Sequence, residues 1–125
     1  MHEVAIEEFA RFVSDAVHAL PEEFRERIAN VEFGVEEWAR PDDFGRMDLP
    51  RNATLLGVYR GVPLTNRGRG YNMALPDRIV IFRGPLQQLA RDEADLNERV
   101  ARVVRHEIAH YFGISDDRLR EIGAY

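Results

Sequence analysis

"VVRHEIAHYFGISDDRLREIGAY", residues 103–125, decides how this chain is read. Its first ten residues continue a helical pattern that begins near Asp95, and Gly113 marks its end. At about 100° per residue with Val104 at zero, Leu96, Val100, Ala101, Val104, Ile108, Tyr111 and Phe112 fill an arc of about 160°. That arc predicts a broad core-facing side. His106 and His110 fall outside it, at about 200° and 240°, one turn and about 6 Å apart along the axis. Two imidazoles at that spacing can converge on one metal ion. Glu107, at about 300°, falls just inside the margin of the apolar arc, on the side nearest the histidine pair. There a carboxylate is close enough to reach a water on such an ion, and buried enough to stay basic.

Gly113 predicts a left-handed helix end that turns the chain back sharply. Asp116 follows three residues later and completes the pattern His-Glu-x-x-His-x-x-Gly-x-x-Asp. Two imidazoles and a carboxylate form a sound set for Zn²⁺, with a fourth position open to water. Asp117 is the neighbouring alternative for the third ligand. Each residue also has a purely structural reading. The histidines can be surface groups, Glu107 a partner for an arginine, and Gly113 an ordinary helix end. Ser115 can cap a last helix whose first turn holds Asp116 and Asp117. The joint occurrence of all five at one set of spacings favours the metal reading.

Composition bounds the rest. A chain of 125 residues with 45% apolar content suits one domain, residues 1–125, around a single core. With no cysteine, disulfides and thiolate metal sites are excluded, so zinc must sit on His, Asp or Glu. The start, "MHEVAIEEFARFV", is acidic and amphipathic, unlike a secretory leader. No apolar run approaches membrane-spanning length. The expectation is a cytoplasmic protein with no membrane partner. A net charge of -5 argues against a nucleic-acid partner, although all 17 basic residues are arginine.

Residues 4–20 place Ile6, Phe9, Ala10, Val13, Val17 and Leu20 at helical spacing. Pro21, Glu22 and Glu23 predict the first turn of a second helix running to about Ala29. Val31, Phe33 and Val35 then alternate with Glu32, Gly34 and Glu36, the pattern of a strand with one wet face. Residues 39–53 read as loop by their Pro, Gly, Asp and Asn content. "TLLGVYRG", residues 54–61, predicts a second strand and "RIVIF", 78–82, a more buried one. Gly84 and Pro85 are expected to close that strand before a short helix over 86–90. On the long helix, Asp95 with Arg99 and Glu98 with Arg102 are expected to pair across one turn. The fold class is α+β.

The segment "HEIAHYFGISD" resembles the metzincin-type zincins. The chain from about Phe9 onward is similar to a bacterial family of short zinc metallopeptidases, the minimal zincins. The stretches carrying that likeness are "LPEEFRERIANVEFGVEE", "LLGVYRGVPLTNR", "PDRIVIFRGPL" and "VVRHEIAHYFGISDDRLREIG". The resemblance implies N-terminal helices, a small mixed sheet, a long active-site helix and a short C-terminal helix. It implies one catalytic Zn²⁺ on His106, His110 and Asp116, Glu107 as general base, and a peptide or small protein as substrate. Two departures matter. Metzincins place a methionine turn after the third ligand, whereas Met47 and Met73 both precede it here. The residues after Asp116 are too few to wall a deep cleft, so the expected cleft is shallow and open. Tyr71 and Tyr125 are candidates to stabilise an oxyanion. An extended substrate is expected to add along the edge of "TLLGVYRG".

Three rival readings stand beside the peptidase, the plainest being a structural protein in which the motif is accidental. A non-catalytic module that keeps the fold and holds a peptide or protein is consistent with an open cleft. A metal-dependent ribonuclease with His-x3-His-x5-His spacing draws support from Arg67, Arg69 and Tyr71. It is disfavoured by Glu107 and by the acidic balance.

Overall fold

A strand that ends in four consecutive apolar residues needs cover on both of its faces, and the fold is built around supplying it. The computed structural model of the chain describes residues 1–46, 55–61, 77–113 and 117. That central strand is β3, Asp77–Phe82, flanked by β1, Val31–Glu36, and β2, Gly57–Arg60, in the order β1-β3-β2. β1 runs parallel to β3, with Val31 opposite Asp77 and Glu36 opposite Phe82. β2 runs antiparallel to it, with Gly57 opposite Ile81 and Arg60 opposite Arg78.

Because side chains alternate along a strand, β3 sends Ile79 and Ile81 to one face and Val80 and Phe82 to the other. The first pair joins the main core, made with α1 (Ile6–His18), α2 (Glu22–Arg27) and α5 (Glu93–Phe112). The second pair packs with Leu55 and Val58 and with half-buried Ala39 and Phe44. This double burial explains why "RIVIF" lacks polar alternation. Phe9, Phe12 and Val13 anchor α1 in the main core, and Phe24 anchors α2. α4, Arg83–Leu89, buries Leu86 and holds the N-terminal segment. Val4 N–H donates to Gln87 Oε1 at 2.7 Å, and Arg83 Nη1 donates to Val4 O at 2.9 Å. The architecture is α+β, as the sequence predicts.

Three details differ from the sequence-based expectation. Residues 39–53 read as loop, yet α3 occupies Pro41–Arg46. Proline at the first helical position suits a helix start, and Asp42 and Asp43 sit in the turn where the dipole favours acids. Asp43 also accepts the Arg40 N–H at 2.8 Å. Second, Gly84 and Pro85 do not separate strand from helix but lie in the first turn of α4. Third, Glu98 meets Arg105 at 3.6 Å rather than Arg102, whereas Asp95 does receive Arg99 Nε at 3.0 Å.

The sheet's second face also carries an ion network. Arg60 donates to both oxygens of Glu36, at 2.8 and 3.0 Å, and to both of Asp43, at 3.0 and 2.9 Å. Asp43 is almost wholly buried, a site a carboxylate tolerates only when paired in this way. The hydrogen bonds from Arg60 hold the Glu36 carboxyl below its ordinary value.

Candidate active site

α5 is fixed at both ends. Asp92 caps its start by accepting the Asp95 N–H at 2.8 Å. Gly113 ends it at φ 70°, where its N–H reaches Ala109 O and His110 O. The left-handed turn expected of Gly113 is present, and the helix runs unbroken through His106, Glu107 and His110.

The helix lies against the main core along the expected arc, with Leu96, Val100, Val104, Ile108 and Tyr111 buried. Burial extends further than the wheel predicts, since Val103 and Ala109 are buried as well, and Glu107, at the margin of the arc, is buried almost wholly. β2 accounts for Val103 and Glu107. A Cβ at Gly57 would stand 2.7 Å from Val103 Cγ1, 3.2 Å from Glu107 Cγ and 3.2 Å from Val80 O. Only glycine leaves room there, and the space it leaves is filled by the stem of Glu107. Two residues further along β2, the ring of Tyr59 lies 5.3 Å from that of Tyr111.

Glu107 is therefore a carboxylate seated between a helix and an edge strand, 5% exposed. Its Oε2 is buried and has no hydrogen-bond partner. Burial pushes its carboxyl up to about 7, where a general base works best near neutral pH. His110 Nδ1 is 3.8 Å from that oxygen, too far for a hydrogen bond. The His110 side chain is half exposed, and His106, a turn earlier, is half-buried.

A buried oxygen without a partner is costly unless a water or an ion completes it. An orphaned carboxylate oxygen beside two histidines a turn apart fits a zinc centre in donor chemistry. Among the described residues no group of three His, Asp or Glu is assembled to hold a metal. Asp116, the expected third ligand, lies outside the described residues, as do Tyr71, Tyr125, Met47 and Met73. Asp117 is helical and exposed. Gly57 is the residue that sequence reading missed, although a glycine inside a strand is itself a sign of close approach.

The burial of Glu107 carries a cost that pH reveals in the metal-free protein. Its folded-state value of about 7 exceeds the ordinary 4.5, so the fold prefers the protonated form. The associated stability is complete below about 4.5 and is lost as pH rises through about 7. Glu107→Gln stays neutral throughout. With chelator present, the variant should gain on wild type between about pH 4.5 and 7, by up to about 3 kcal/mol. Urea unfolding at about pH 5 and pH 8 measures this, and an equal difference at both would show that the carboxyl is not held in an apolar site.

No match is found among the curated proteins. Among solved structures, the chain resembles a conserved hypothetical protein from Thermus thermophilus, at 22% identity and a TM-score of 0.58. The likeness covers 87% of this chain and 94% of that one, and it concerns the fold. Residues 28–124 match the zincin-like metallopeptidase family, from β1 through α5 and beyond, so the chain belongs to that family.

Proposed function

We propose that the protein is a zinc-dependent peptidase in which Glu107 is the general base and His106, His110 and Asp116 hold the metal. The observation that carries this reading is the partnerless Oε2 of Glu107, buried next to His110 on a helix closed onto β2 by Gly57. Membership of the zincin-like family supports a hydrolase.

When bound, zinc supplies a Lewis acid for the scissile carbonyl and lowers the pKa of water toward about 7. Glu107 accepts at Oε2 the proton that the attacking water loses, and returns it to the leaving nitrogen as the C–N bond breaks. The seating of its stem against Val103 and Gly57 keeps that carboxylate from being quenched by solvent. Among the described residues β2 pairs with β3 alone, so its outer edge offers ladder groups to an extended peptide. A peptide or small protein is the substrate class this geometry favours.

Metal content tests the proposal most directly. Protein purified without added zinc should carry close to one zinc per chain by mass spectrometry. Metal-free protein that also fails to take up zinc in dialysis would overturn the assignment.

A further inference from the structure

The second edge of the sheet poses a separate problem. Among the described residues β1 pairs with β3 alone, which leaves a row of unpaired N–H and C=O groups along its outer side. Monomeric proteins blunt such edges with proline, lysine, bulges or unmatched charge. Val31–Glu36 contains no proline or lysine and keeps register with β3 over all six residues. Of its two acids, Glu36 is matched by Arg60 and Arg40, whereas Glu32 reaches Arg78 only at 3.7 Å.

Above this edge α1 leaves apolar surface uncovered. Ile6, Ala10 and Val17 line a cavity of about 580 Å³ together with Phe33 and Val35 of β1, and Ile6 is 42% exposed. The apolar arc of α1 is thus wider than the described residues cover.

The charge pattern points to what completes the edge. Gly34 has no side chain, and the Arg78 guanidinium takes that space: a Cβ at Gly34 would lie 2.5 Å from Arg78 Nη2. Arg78 Nε has no hydrogen-bond partner, and its contact with Glu32 is long, 3.7 Å. A strand laid antiparallel on β1 with a carboxylate opposite Gly34 would meet this cation directly. β1 itself is such a strand. When Phe33 faces the partner subunit's Phe33, Glu32 falls opposite the partner subunit's Gly34, and Val31 falls opposite the partner subunit's Val35. Two-fold symmetry repeats each pairing. A register shifted by one residue would put Glu32 among the apolar side chains. The register centred on Gly34 would set Glu32 against the partner subunit's Glu36.

We propose that β1 is the seam of a two-fold homodimer, joined through antiparallel β1 pairing about Phe33 and through the Ile6–Ala10–Val17 stripe of α1. A six-residue strand pair is small beside the roughly 800 Å² per partner that stable interfaces bury, so the stripe is a necessary part of it. The seam lies on the edge opposite β2, away from Gly57 and Glu107. The proposal is independent of the peptidase reading.

Sedimentation equilibrium of the purified chain at micromolar concentration tests it. Wild type should weigh twice the chain mass. Glu32→Arg should weaken the dimer on the order of a hundredfold, because symmetry sets two new like-charge contacts. The charge swap Glu32→Arg/Arg78→Glu should restore it. Ala10→Arg, on the exposed side of α1, should also dissociate it, and circular dichroism should show every variant folded. A monomeric wild type would overturn the proposal. So would a dimer indifferent to both Glu32→Arg and Ala10→Arg, or a folded charge-swap variant that stays monomeric.

Discussion

Glu107→Gln is expected to lower hydrolysis of short extended peptides by roughly 10²-fold or more while zinc content and fold are unchanged. Glutamine keeps the volume that fills the space beside Gly57, and its amide can still bond a water, but it cannot accept a proton. The side chain is not a ligand in this reading, so metal should be retained. Its burial makes the substitution favourable to the fold, since no charge is left in an apolar seat. Loss of activity would therefore come from chemistry and not from instability. The readout is cleavage of a peptide library by zinc-loaded protein, followed by mass spectrometry. Unchanged cleavage would assign the base to another residue. If loaded wild type cleaves nothing, and the variant captures a peptide equally well, the non-catalytic module would replace the peptidase.

His110→Ala should abolish tight zinc binding with little effect on stability. The side chain is half exposed, so its truncation opens no buried cavity. Losing one of three ligands removes most of the affinity of such a centre. Isothermal titration with zinc, alongside thermal unfolding in chelator, separates the two effects. Retained stoichiometric zinc would place the metal elsewhere. The same titration on Asp116→Ala and Asp117→Ala decides the third ligand, with the larger loss expected at Asp116.

Local pattern and tertiary contact divide what can be read from the sequence. The strand Val31–Glu36 is legible to the residue because alternation is a property of the strand itself. The long helix and its glycine end are legible for the same kind of reason, as both depend on residues within a turn or two. The histidine pair and Glu107 follow from helical spacing once that helix is placed. The full burial of Glu107 and Val103 is not legible, because it depends on β2 arriving at that flank and on Gly57 having no side chain. α3 escapes for a related reason. Its Pro, Gly and Asp content reads as loop in isolation, and Asp43 becomes a helix residue in company with Arg40 and Arg60.

The ion network on the far face has a kinetic consequence. Arg60 belongs to β2, Glu36 to the end of β1 and Asp43 to α3. The β2–β3 pairing closes a short stretch of chain, from Arg60 to Arg78, whereas β1 must find β3 across a far longer one, from Val31 to Asp77. Loop-closure entropy therefore favours β2–β3 as the earlier event and makes the docking of β1 the slow search. Until β1 arrives, Arg60 lacks Glu36, one of its two carboxylates. A half-assembled sheet is thus penalised electrostatically as well as by exposed apolar surface. The network acts as a cooperativity lock, so the chain should fold in one concerted step limited by the arrival of its first strand.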